Sequence, residues 1–182
     1  MPKIHSRTAP GAARRASLPL PAARRAGAPL PVARLAGAAL CVLLIAGCTP
    51  GATPVPVPSP GPEVAAACTD LVKALPAKVL DAKRRKTTPE SPLTTAYGDP
   101  PIEMTCGVAA PAGTPEAQSK CFEVNGVGWF AKQVQNGYVF TTIGRALYFE
   151  VAVPNKYAPE ANALTDVSDA VQKHDKLVIP CL

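Results

Sequence analysis

Aromatic side chains are scarce in this 182-residue chain, which has one tryptophan, four tyrosines and four phenylalanines. Histidine is scarcer still, with only His5 and His174. The six cysteines never fall in a C-x-x-C pair, which argues against a zinc knuckle or a thioredoxin-like redox site. There is no G-x-S-x-G elbow, no glycine-rich phosphate loop and no histidine-based metal signature. No apolar run reaches the roughly 20 residues that a membrane-spanning helix needs. No acidic residue occurs before Glu63. What remains is a chain with an address but no chemical signature.

The address lies in residues 35–48, an apolar run that ends in Ile45-Ala46-Gly47-Cys48. It is too short to span a bilayer but suits the core of a signal peptide. The small residues before a cysteine resemble a bacterial lipobox, in which the new N-terminal thiol takes a diacylglyceryl group. Residues 1–47 are therefore expected to be a lipoprotein signal peptide, and Cys48 the lipidated residue. The long basic n-region carries a near-repeat, Ala12-Ala13-Arg14-Arg15-Ala16 and Ala22-Ala23-Arg24-Arg25-Ala26, and from its prolines a disordered segment is expected. Its Arg-Arg pairs lack the flanking residues of a twin-arginine signal, so secretion in the unfolded state is expected.

The division at Cys48 changes the charge balance. Seven of the 19 Lys and Arg residues lie upstream, leaving 12 bases against 13 acids in the 135 residues from Cys48 onward. The net charge of +6 thus belongs to the leader, and it implies no nucleic-acid partner for the folded part. That part is long enough for one core. Residues 48–62 have proline at nearly every second position and are expected to form an extended tether reaching on the order of 40 Å. The globular domain is expected over 63–182.

Four cysteines remain there: Cys68, Cys106, Cys121 and Cys181. In an exported domain an even number points to two disulfides, in one of three connectivities. Each bridge should add roughly 3–4 kcal/mol on a chain-entropy basis.

Val64, Ala67, Cys68, Leu71, Val72 and Leu75 recur with helical period, and Pro62 and Glu63 suit the helix start. Pro76 ends this helix or opens a second short one holding Val79 and Leu80. Lys83-Arg84-Arg85-Lys86 and the Thr87–Pro92 stretch read as an exposed loop. The basic quartet is either a solvated helix end, the preferred reading, or a contact for lipid phosphates or anionic wall polymer. Ile102 to Val108 is a candidate strand, followed by a loop from Ala109 to Pro115. Asn125-Gly126 and Asn136-Gly137 separate three further strands, so a three-stranded meander is predicted. Leu147, Phe149, Val151 and Val153 alternate with polar or small residues in a fourth strand. A helix follows from Pro159, with Ala163, Val167, Ala170 and Val171 on one face. The tail, Leu177 to Leu182, is short, apolar and held by Cys181. The expected fold class is α+β: an antiparallel β-meander sheet packed by an N-terminal and a C-terminal helix and stapled by disulfides.

One series of short motifs goes further. Cys68 with Leu71-Val72 and Ala74-Leu75-Pro76 is followed by Tyr97-Gly98-Asp99-Pro100-Pro101 and Thr105-Cys106-Gly107-Val108. Glu123-Val124-Asn125-Gly126-Val127-Gly128-Trp129, Phe140-Thr141-Thr142 and Glu150-Val151-Ala152-Val153-Pro154 complete it. Over roughly residues 65–172 the series resembles DUF3515, an actinobacterial family of unknown function. The resemblance implies an exported or lipid-anchored envelope protein with no assigned chemistry. It also implies the pairs Cys68–Cys106 and Cys121–Cys181, the second being additional to the family pattern. Tyr97 departs from that pattern, which has Trp there.

Catalysis is not expected. His174 sits near the end of the last predicted helix beside Lys173 and Asp175, where a solvated or capping role is the simpler one. Asp99, Glu103, Glu123 and Glu150 lie on or beside strands, where carboxylates usually serve solubility. An envelope hydrolase is therefore the least favoured reading, and no cofactor or metal is expected. Two non-enzymatic roles remain. One is an accessory lipoprotein on the extracytoplasmic face of the cell membrane that docks on an envelope protein, with Asp99-Pro100-Pro101 and residues 83–86 as contact loops. The other is a module binding cell-wall polymer or a small ligand through Trp129, Tyr138 and Tyr148. Exposure of the Trp129 ring separates them: a buried ring favours docking.

Overall fold

The computed structural model describes residues 51–181, with the side chains of Pro115 and Glu116 excepted. The expected signal segment 1–47 and the lipidation position Cys48 lie outside the described residues. In chain order the elements are β1 (Thr53–Pro54), α1 (Pro62–Ala74), β2 (Lys78–Val79), β3 (Ala82–Arg85), β4 (Thr87–Thr88), β5 (Thr94–Tyr97), β6 (Ile102–Cys106), α2 (Thr114–Ser119), β7 (Phe122–Val124), β8 (Val127–Val134), β9 (Gly137–Thr142), β10 (Phe149–Pro154), a 3-10 turn (Asn155–Tyr157) and α3 (Asn162–His174).

Eight strands form one antiparallel sheet in the order β2-β3-β5-β6-β10-β9-β8-β7. β10 follows all the others in the chain yet lies near the centre, pairing with β6 on one side and β9 on the other. It thereby joins the C-terminal meander β7–β9 to the N-terminal half of the sheet. The reason is compositional. Phe149, Val151 and Val153 present an unbroken apolar face, and all three are buried. The fold is the α+β arrangement expected from the sequence, with α1 and α3 packed against each other over the inner face. That face carries Ile102, Met104, Phe140, Trp129 and Phe149, each worth roughly 1.5–3 kcal/mol when fully buried.

Local chemistry explains both main helices. α1 starts at Pro62, whose fixed φ suits the first helical position, with Glu63 near the positive end of the helix dipole. It stops before Leu75, which Pro76 drives into an extended conformation. Its last carbonyls do not face water alone: Arg84 Nη2 donates to Val72 O at 2.6 Å and to Leu75 O at 3.4 Å. In α3, Ala163, Leu164, Val167, Ala170 and Val171 form the buried stripe.

Several expectations are corrected. Val79 and Leu80 belong to no second helix: β2 and β3 form a hairpin whose turn, Leu80-Asp81, has φ of 48° and 62°. This is the doubly left-handed conformation that hairpins favour; Asp81 tolerates it, whereas Leu80 normally avoids it. The amide of Leu80 donates to Asp166 Oδ2 at 2.8 Å, so α3 fixes the turn. The basic run 83–86 is likewise no loop or helix end but a strand and its continuation, and Thr94–Tyr97 forms a strand that periodicity did not reveal. Asn125-Gly126 makes the expected tight turn, with φ of 46° and 71°. The second turn instead places Gln135 and Asn136 at its tip, with Gly137 opposite Val134. A Cβ at Gly137 would run into Val153 O, so glycine is needed there for close approach as much as for turning. The loop expected over Ala109–Pro115 runs at its end into a short helix, Thr114–Ser119.

The largest correction concerns the tether. β1 pairs in parallel with β4, and Thr53 and Val55 are buried at 3% and 2% exposure. Thr53 N donates to Lys86 O at 2.8 Å, and Val55 N to Thr88 O at 3.1 Å. Alternate proline leaves alternate amides free, and here the free ones are used. The segment is a strap on the domain, not a loose spacer.

Candidate functional site

Of the three aromatics singled out for ligand contact, Trp129 is fully buried, so its ring is corrected from a binding surface to the core. It pairs across the sheet with Phe122 and Thr142, beneath α3, and its ring centroid lies 6.4 Å from that of Phe149. Its Nε1 has no hydrogen-bond partner within the protein. Tyr138 shares this inner face and stacks on Phe140 with centroids 5.8 Å apart. Tyr148 has the opposite parity on the chain and lies beside the strap, lining a hollow of about 630 Å³ with Pro58 and Pro60. The three rings therefore do not converge on one site.

The outer face of the sheet brings other residues together. The register pairs Glu150 with Thr105 and Ala152 with Glu103. Glu103 and Glu150 are thus diagonal neighbours on adjacent strands, a relation that places Cβ atoms about 7 Å apart. Burial raises the carboxyl pKa of Glu103, and the negative charge of Glu150 raises it further. Burial also raises Glu150, while Lys132 opposes the shift. The strap residues Val55–Pro58 wall one side of a hollow of about 440 Å³ over this pair. A second hollow of about 400 Å³, with Phe130, Lys132 and Thr141 on its floor, continues past Glu150 beneath the loop Ala109–Ala112. The sequence placed both carboxylates on strands but gave no sign of the strap above them.

A different surface is built by the tail. After α3 the chain turns back, and Arg145 bridges Leu177 in antiparallel fashion. Ala146 N donates to Lys176 O at 2.9 Å, and the amides of Val178 and Ile179 both donate to Gly144 O at 2.8 Å. Gly144 has φ of 71°, and a Cβ there would run into Ile179 O. Cys181 is joined to Cys121 with Cα atoms 5.6 Å apart, while the second bridge, Cys68–Cys106, is wholly in the core. These are the pairs implied by the family resemblance. The tail backbone is therefore fixed, yet Leu177, Val178 and Ile179 remain 50%, 60% and 51% exposed. Three large apolar side chains in a row are held out to solvent on a fixed backbone. Composition gave the apolar run, but not its exposure.

Beneath the tail lies Asp175, 2% exposed. Its Oδ1 accepts the amide of Leu147 at 2.9 Å, and Arg145 Nη1 donates to its backbone oxygen at 2.6 Å. Arg145 Nη2 also donates to Gly126 O at 2.8 Å. Burial raises the Asp175 carboxyl to about 6, against the opposing bond from Leu147 and the charge of Arg145. This is a packing network that closes the β9–β10 connection onto the end of α3. His174, next to it, is exposed. In the loop Asp99-Pro100-Pro101, Asp99 O accepts from Lys156 Nζ, and Tyr157 Oη donates to Pro100 O at 2.8 Å.

Fold and surfaces together define a class: an α+β domain with one antiparallel sheet, strapped at its N-terminal end and stapled by two disulfides. The chain belongs to the DUF3515 family, described as a protein of unknown function, whose model matches residues 28–178. No curated protein matches the chain, and no solved structure does.

Proposed function

We propose that the protein is an exported, lipid-anchored domain of the cell envelope that docks on an envelope protein and performs no chemistry of its own. The observation that carries this reading is the fixed apolar ridge Leu177-Val178-Ile179. Ordered apolar side chains exposed together are characteristic of interaction surfaces, and a backbone already held by Gly144 and Cys181 needs little further ordering on binding. The address rests on the lipobox-like end at Cys48 and on two disulfides, which persist in oxidising compartments.

A photo-crosslinker at Val178 in the native membrane should give one discrete protein adduct, lost in the double variant V178E/I179E. The same preparation should show a diacylglyceryl group on Cys48, and C48A should accumulate as unprocessed precursor. Absence of any adduct, together with turnover of wall fragments by the pure protein, would reverse the proposal.

A second reading has its own observation. The hollow over Glu103 and Glu150, walled by the strap and neighboured by Tyr148, suits a hydroxyl-rich wall polymer or small ligand. It takes the place of the alternative aromatic site at Trp129, Tyr138 and Tyr148. Retention on isolated wall polymer that is abolished in E103Q/E150Q and unaffected in V178E/I179E would favour this reading over docking.

A further inference from the structure

We infer that the β2–β3 hairpin, with Lys86 just beyond it, lies against the membrane and binds anionic lipid headgroups through Lys78, Lys83 and Lys86. This rests on the proposed lipid at Cys48, and covalent reach supplies the first argument. Gly51 follows Cys48 by three residues, so their Cα atoms lie within about 11 Å of each other whatever the conformation between them. Gly51 is itself held to the domain, because Arg85 Nη2 donates to its carbonyl at 2.8 Å. Two residues on, Thr53 N donates to Lys86 O. The place on the fold nearest the acyl chains is therefore the end of β3. A free tether would have allowed any face to approach the membrane; a docked strap allows this one.

Charge supplies the second argument. Residues 78–88 hold five of the 12 bases found from Cys48 onward, with Asp81 as the one acid. The rest of that part holds seven bases against twelve acids. The positive charge is thus concentrated beside the anchor.

The third argument is the pairing of these cations. Lys78 stands directly across from Lys83, and both are exposed. Like charges directly opposite on paired strands destabilise the pair, and among the described residues no carboxylate forms an ion pair with either. Arg84 is committed to the carbonyls of α1 and to Tyr97, and Arg85 lies 3.9 Å from Asp99. The three lysines are the uncommitted cations of the group. Lysines on an edge strand also deter strand addition, and that role alone would be indifferent to lipid composition.

The test uses the lipidated protein purified from membranes and reconstituted in vesicles of phosphatidylcholine, alone or with phosphatidylglycerol at roughly a third of the lipid. Hydrogen exchange is followed by mass spectrometry. Amides of residues 78–88 should exchange roughly tenfold or more slowly on the anionic vesicles, given a preference set by three lysines near a charged surface. The difference should vanish in high salt and in K78Q/K83Q/K86Q, while α3 exchanges alike throughout as a check on folding. Equal exchange on both vesicles by a protein whose mass shows acylated Cys48 overturns the hairpin contact and leaves the anchor standing. An unmodified Cys48 overturns the anchor and, with it, the proximity argument. Protection by anionic wall polymer but not by vesicles overturns the choice of a lipid partner.

Discussion

Arg145 and Asp175 hold each other's segments in place. The Arg145 guanidinium donates to the backbone oxygen of Asp175 at 2.6 Å, and the Asp175 carboxylate accepts the amide of Leu147, two residues beyond Arg145, at 2.9 Å. The β9–β10 connection, the end of α3 and the tail are closed by this one exchange of bonds.

The pairing sets a pH dependence. Burial raises the Asp175 carboxyl to about 6, so the folded protein holds that proton more tightly than the unfolded chain, whose value is near 3.8. The group's contribution is fully present below about pH 4 and is lost as pH rises through 6. Asp175→Asn keeps an acceptor for Leu147 without the buried charge. Thermal melts should therefore show this variant gaining on wild type between pH 4 and 7, and a difference flat with pH would refute the assignment. Asp175→Ala, which leaves the Leu147 amide unpaired, should cost about 1–3 kcal/mol near pH 4, and this cost should shrink as pH rises through 6 and wild type takes on the buried charge.

The tail depends on its disulfide and on one glycine. Cys121 and Cys181 are 60 residues apart, and opening that bridge with a pair of serines should cost on the order of 4 kcal/mol on a chain-entropy basis. Denaturant unfolding without reductant measures it. Gly144→Ala should release the amides of Val178 and Ile179 to fast exchange while leaving those of β6 and β10 protected. If all of these amides were released together, the tail would be integral to the core and not an applied ridge.

Burial of Trp129 has a direct optical consequence. Emission from this single tryptophan should be blue-shifted and nearly insensitive to acrylamide, and wall fragments should not alter it by direct contact. Strong quenching of the folded protein would return the ring to the surface and revive the aromatic binding site.

The strap is held by few bonds around two buried side chains, Thr53 and Val55. Val55→Asp places a charge where exposure is 2%, and the cheapest response is detachment of residues 53–58. Exchange at the Thr53 and Val55 amides should rise at least about tenfold, with Tm lowered by only a few degrees. Loss of cooperative unfolding in this variant would mean that the strap belongs to the core.

Where the sequence was legible, local pattern and global packing agreed. Val64 to Leu75 and Ala163 to Val171 carry a helical stripe, and Asn125-Gly126 has the residues its turn demands. Phe149-Val151-Val153 alternates and is buried. The misreadings fall where distant partners decide. Leu80, at the first turn position, defies local preference because Asp166, in α3, holds its amide. The basic run reads as solvated until Arg84 is seen capping α1 and lying 5.7 Å from the Tyr97 ring. The strap has the composition of a spacer, and only its pairing with Thr87 and Thr88 distinguishes it. The outer-face hollow was illegible for the same reason, since the wall that forms it comes from a segment whose composition predicts no fold.

The strap also gives the domain mechanical slack. A pull from residue 48 loads the bonds at Gly51, Thr53 and Val55 one after another from the end, so they should peel at low force instead of resisting together. Peeling residues 51–61 would pay out roughly 35 Å of chain while the disulfide-closed body stays folded. On this hypothesis the protein has two working heights above its anchor, a close one with the strap docked and a distant one with it extended. Single-molecule stretching from residue 48 should record that lengthening as a separate, reversible step before the body yields. A trace in which strap and body give way at once would leave the domain with a single height.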